Sequence, residues 1–152
     1  MKRILCPTRG GEASYANQDY AISLAKERKA ELLFLYVADV EFLNLISSPV
    51  VVDVVQEIED MGEFLLLMAQ ERAEKAGVKA GHIVKSGRFQ EALQQAILEN
   101  EVDTVVVGGS PEETGSTSQA FLENLGETLT SEMGVEVILV LHGEILNSYG
   151  KK

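Results

Sequence analysis

Three stretches of this chain, Leu32–Val37, Val105–Val107 and Val135–Leu141, are apolar at nearly every position. A strand with water on one face alternates apolar and polar residues, whereas a strand apolar on both faces must be covered on both. Two further runs, Arg3–Pro7 and Lys79–Lys85, read as strands, and the three apolar stretches extend to Glu31–Ala38, Thr104–Gly108 and Val135–Leu141. Segments with a period near 3.6 lie between them. Strand and helix therefore alternate, and crossovers of that kind connect parallel strands with a right-handed turn. The expected fold is α/β: an open, doubly wound, parallel five-stranded sheet with helices on both faces, in three α/β/α layers.

The helices have recognisable ends. Ser14 is placed to cap a helix whose face carries Ala16, Tyr20, Ala21, Leu24 and Ala25. Asp53 with Gln56 resembles a capping box opening a longer helix. Its expected inward stripe is Val54, Ile58, Met61, Leu65, Met68, Ala69 and the stem of Arg72, closing at Lys75-Ala76-Gly77. Phe89, Ala92, Leu93, Ala96 and Ile97 mark a third helix. Phe121, Leu122, Leu125, Leu129 and Met133 mark a fourth, ended by Gly134. A single domain over residues 1–143 follows, with residues 144–152 as a frayed tail.

Composition excludes several function classes. The 152 residues carry a formal charge of −11, which repels a nucleic-acid backbone, and no basic cluster overrides it. No apolar run approaches the ~20 residues of a membrane span, and proline interrupts the N-terminal run too early for a signal peptide. One cysteine, Cys6, rules out an internal disulfide and suits a reducing compartment, so a cytoplasmic location is expected. Cys6 itself reads as a buried, inert thiol. His82 and His142 lie in different elements without acidic or thiol neighbours at ligand spacing, so no metal site is expected. No nucleophile elbow or Walker lysine is present. Thr114–Thr117 is similar to a flavin phosphate loop but follows the fourth strand, not the first. Asp39 and Asp103 alone do not make a receiver-domain acidic cluster.

Ligands in doubly wound sheets bind beyond the carboxyl ends of the strands, where the winding reverses. The first strand ends in Pro7-Thr8-Arg9-Gly10-Gly11 and the fourth in Gly108-Gly109-Ser110-Pro111, so these two flank the expected crevice. Glycine turns leading to a helix N-terminus hold phosphate through free amides. Here, however, the turn carries Glu112 and Glu113. A negative charge about 6 Å from a phosphate costs roughly 3 kcal/mol at an effective dielectric of 20. The two glutamates either block the pocket or sit solvated at a loop tip.

The chain resembles the universal stress protein family over nearly its whole length. Ile4–Ser14 is similar to that family's first strand and loop, Ala30–Val37 to its second strand, Val102–Gly108 to its fourth and Glu136–Val140 to its last. The resemblance implies an adenine-nucleotide α-hydrolase-like fold, no enzymatic activity, and ATP or AMP, with Mg²⁺, as the ligand. Pro7, Thr8 and Val37 match the base side of that family's pocket, while Arg9 stands where the family has Asp. Arg9 either takes a phosphate or pairs with a glutamate and fills the site itself. Gly108 or Gly109, with Ser110, matches the first cradle glycine, Gly115 a displaced second, and Gly126 the late one. Glu127 replaces the hydroxyl residue that follows, with Thr128 one further. Glu112, Glu113 and Glu127 are the candidate blocking charges, and they favour a degenerate pocket and action through protein contacts over adenine-nucleotide binding.

The resemblance also implies a homodimer through the last strand, Val135, Val137, Leu139 and Leu141, placed at a sheet edge. A tail covering that edge is the alternative. The apolar stretch Phe42–Ile46 with Val50–Val52 is either a turn packed on the sheet edge, a lid, or a partner-facing patch.

Overall fold

Apolar residues on alternate sides of each strand divide between two cores, one on each face of a single sheet. Ile4, Cys6, Phe34, Val106, Ile138 and Val140 point to one face, and Leu5, Leu35, Val105, Val107, Val137 and Leu139 to the other. The structure, a computed structural model, describes residues 2–9, 14–38, 50–109 and 119–150, and of residues 50–53 and 119 the backbone alone. Its elements are β1 (Arg3–Pro7), α1 (Tyr15–Arg28), β2 (Glu31–Ala38), α2 (Val50–Lys75), β3 (Ala80–Ser86), α3 (Phe89–Glu99), β4 (Thr104–Gly108), α4 (Gln119–Met133), β5 (Glu136–Leu141) and β6 (Glu144–Tyr149). The strand order is β3-β2-β1-β4-β5-β6, parallel throughout except for the antiparallel β5–β6 pair. Helices α1 and α2 cover the first face, and α3 and α4 the second.

The expected α/β/α class and the β1–β4 switch point hold. The sheet has six strands where five are expected, because residues 144–149 are not a frayed tail. His142 and Gly143 both have positive φ, 52° and 79°, as a two-residue type I′ hairpin turn requires. They fold β6 back along β5, with Val137 opposite Tyr149 and Leu141 opposite Glu144. Strand β5 therefore lies inside the sheet, with Val137 and Leu139 fully buried, and its expected role as an open edge is corrected. The covering tail, the alternative kept open above, is the arrangement found.

Helix α2 also differs. It begins at Val50, so Asp53 lies inside the helix rather than at its N-cap position, and Val50–Val52 belong to a helix rather than a connection. Its buried stripe is Gly62, Leu66, Ala69 and Ala73, whereas Met61 and Met68 of the expected stripe are 58% and 41% exposed. The helix turns this way because Gly62 lets the Tyr36 ring of β2 lie against its backbone, where any side chain would collide. Stretch 42–46 lies outside the described residues.

At the opposite end of the sheet, Arg28 at the end of α1 forks onto Glu136 at 2.7 and 3.2 Å and also donates to the Thr104 hydroxyl at 3.3 Å. That bidentate pair ties α1 to the start of β4 and β5.

Cys6 is 2% exposed, and burial raises its thiol from the ordinary 9.0 to about 12. A neutral, covered thiol is a poor nucleophile. The folded protein at neutral pH is expected to resist alkylation by iodoacetamide for hours and to react fully in denaturant, read by intact mass. Because the folded value lies above the unfolded one, this group's share of the stability is complete below pH 9.0. It is lost as pH rises from 9.0 toward 12. Rapid labelling of the folded chain at neutral pH would contradict the burial.

Candidate functional site

The carboxyl ends of β1 and β4 lie side by side, with Ile4 opposite Thr104 and Leu5 opposite Val105, so Pro7–Arg9 and Gly108–Gly109 share one crevice. This brings together most of the expected base side: Pro7 is buried, Thr8 half-buried and Arg9 exposed beyond β1, with Val37 near the end of β2. Ser110, Gly115, Glu112 and Glu113 lie outside the described residues, as do Pro111 and Thr114–Thr117.

Among the described residues, several backbone donors at this end of the sheet are already taken within the fold. The Gly109 amide donates to the Val140 carbonyl at 2.7 Å, and the Thr8 amide to the Leu35 carbonyl at 2.8 Å. Gly108 is paired opposite Val140 as the last residue of β4. Gly126 and Thr128, expected in the cradle, lie within a helix. Helix α4 starts at Gln119, so both lie in its second and third turns, where each amide donates to the carbonyl four residues earlier. The free amides of a helix are only its first four. Gly126 is a packing glycine instead: a Cβ there would sit 2.6 Å from two ring carbons of Tyr149, the last residue of β6. Burial, followed by the nearby Glu123 and Glu127, raises the Tyr149 phenol. Glu127, expected as a blocking charge, is exposed on α4 beside that ring.

Side chains of α1 enter the crevice in their place. Asn17, 9% exposed, lies against Gly108 so closely that a Cβ there would collide with its carboxamide. Its amide donates to the Gly109 carbonyl at 3.4 Å, and its oxygen accepts from the Gly143 amide at 3.0 Å. One side chain thus bridges α1, the end of β4 and the β5–β6 turn. Gln18, 1% exposed, donates to the Thr8 hydroxyl at 3.0 Å and accepts from Arg72 of α2 at 2.6 Å. Arg72 continues to the Asp19 carboxylate and lies 4.3 Å over the Tyr15 ring. Asn17 and Gln18 escape a reading from sequence that looks only for glycines and charges. The available signal is their spacing, four residues before Ala21 and Ile22 on the buried side of α1, where polar side chains need partners.

Residues 1–140 match the model of the universal stress protein family. The chain belongs to that family. A universal stress protein of Methanocaldococcus jannaschii is 26% identical over 142 residues, spanning 91% of this chain and 81% of that protein. Among solved structures, the universal stress protein UspA of Lactobacillus plantarum superposes with a TM-score of 0.72 at 18% identity, covering 91% of this chain and 97% of the other. A universal stress protein family member of Arabidopsis thaliana, solved with AMP bound, gives 0.57 at 15% identity, with 93% and 92% covered. These identities show a shared fold. Strand β6, at residues 144–149, lies beyond the part of this universal stress protein that the family model matches.

Proposed function

We propose that this universal stress protein is a non-catalytic regulator that works through protein contacts, its nucleotide crevice filled by its own side chains. The observation that carries the reading is the state of the cradle: the Gly109 amide is bonded to Val140, the Gly126 and Thr128 amides lie inside α4, and Asn17 spans from Gly109 to Gly143. A nucleotide entering there has to displace Asn17 and leave the Gly143 amide without its partner, at a cost of about 1–3 kcal/mol before any contact is gained. In this reading a homodimer pairs through β6, one of the two edge strands of the sheet, and the protein acts in the cytoplasm.

AMP bound to the Arabidopsis neighbour supports a second reading, in which the crevice between β1 and β4 takes an adenine nucleotide. Isothermal titration with AMP, ATP and Mg-ATP separates the two. The first reading expects no binding below the millimolar range, with weak binding appearing in Asn17→Gly, which empties the space beside Gly108. Micromolar binding to the unaltered chain would establish the second.

A further inference from the structure

The outward side of α2 carries apolar side chains that the fold leaves uncovered. Met61 is 58% exposed, Phe64 62%, Leu67 47% and Met68 41%. Met61, Phe64 and Met68 are spaced i, i+3, i+7, so they form one stripe along the helix. Arg72, one turn beyond Met68, reaches α1, which places the stripe along the α1 side of α2. Isolated exposed apolar residues are ordinary, but a methionine-rich stripe around a central phenylalanine makes an adaptable docking face.

The charges around it select the occupant. Among the described side chains of α2, the acids are Glu57, Glu59, Asp60, Glu63, Glu71 and Glu74, and the bases are Arg72 and Lys75. Both bases are neutralised, Arg72 by Asp19 and Lys75 by Glu71 at 3.0 Å. Glu57, Asp60 and Glu71 lie on the same outer side as Phe64, so among the described side chains of α2 the stripe has an acidic rim with no unpaired cation. A second copy would set this rim against itself, with a further −11 behind it, and an anionic lipid surface would meet the same repulsion. A cationic segment with one apolar face satisfies both parts at once: its apolar side chains fill the stripe and its lysines or arginines meet the rim.

We propose that the outer face of α2 docks a basic amphipathic helix of a partner protein, Phe64 being the central anchor. This rests on the protein-contact reading above for its biological purpose, but its test is independent of whether a nucleotide binds. The probe is a fluorescent synthetic peptide of about five helical turns, with leucine at helical spacing and lysine elsewhere. A control peptide has the same charge, with serine replacing leucine. Anisotropy titration is expected to show the amphipathic peptide binding at least about tenfold tighter than the control, with about tenfold lost in Phe64→Ser combined with Met68→Ser. Asp60→Lys with Glu57→Lys is expected to weaken binding about threefold to tenfold and to flatten its salt dependence. All four positions are solvent-facing, and an unchanged melting temperature confirms that the variants fold. Equal binding of the two peptides, or amphipathic binding unaffected by the Phe64 and Met68 changes, would overturn the proposal. A dimer in sedimentation that Phe64→Ser dissociates would also overturn it, by showing that a second copy occupies the stripe. The AMP titration on the same preparation reports separately on the crevice.

Discussion

Ending the chain after Leu141 is expected to cost about 3–5 kcal/mol of stability and to convert the protein into self-associating species. Such a truncation removes β6, the partner along one whole side of β5. The Tyr149 ring leaves its seat on Gly126, and the Asn17 oxygen loses the Gly143 amide. What remains at the margin is a strand reading Val137-Ile138-Leu139-Val140, apolar on both faces and with its backbone donors and acceptors open. Strands of that kind pair with one another. Urea denaturation and sedimentation velocity on the full and shortened chains check this. A monomeric truncated protein with an unchanged midpoint would show that β6 contributes nothing to the sheet.

Replacing Gly126 sets two effects of opposite sign against each other. Alanine in a helix interior is favoured over glycine by about 1 kcal/mol. At this position the new carbon meets the Tyr149 ring at 2.6 Å, and forcing atoms into a packed contact costs about 1–3 kcal/mol. The steric effect wins, so Gly126→Ala is expected to destabilise, and Gly126→Leu to destabilise by about 3 kcal/mol or more. In a Tyr149→Ala background the clash is gone, and Gly126→Ala is expected to stabilise by about 1 kcal/mol. A change of sign between the two backgrounds, read by thermal or urea denaturation, distinguishes a packing glycine from one held for a ligand. Stabilisation in both would mean that Tyr149 does not rest there.

How much of this was legible depended on the physics of each element. Strands Arg3–Pro7, Glu31–Ala38 and Thr104–Gly108 are found to the residue, because a strand buried on both faces advertises itself by a run of apolar residues that neither solvent face interrupts. Strand β6 sends no such signal. Glu144–Tyr149 is exposed at five of six positions, and its place is decided by long-range partners, the hairpin turn and the notch over Gly126. The inward side of α2 was misread because Leu65-Leu66-Leu67-Met68-Ala69 is apolar all round, so periodicity cannot choose a face there. The choice was made by Gly62 against Tyr36, a contact between α2 and β2 that no local pattern contains.

The side-by-side placement of the β1 and β4 ends was legible for topological reasons, whereas the side chains found between them were not the ones singled out. Glycines and glutamates draw attention because free backbone amides attract a phosphate and carboxylates repel it. Glu127 turned out to face solvent, and the side chains that enter the crevice are Asn17 and Gln18, ordinary amides on a helix. Their role depends on what lies opposite, the bare backbone of Gly108 and the hydroxyl of Thr8. Gly126 resembles a cradle glycine by spacing alone, and spacing does not reveal that α4 begins two turns earlier.

Amide hydrogen exchange at Gly126 and Thr128, with and without saturating AMP, tests most directly whether the nucleotide cradle has been absorbed into the fold. Helical amides in the middle of α4 are expected to exchange slowly in the unliganded protein, with rates that AMP leaves unchanged. Fast exchange at both positions that becomes slow on adding AMP would contradict the account, because those amides would then be waiting for a phosphate.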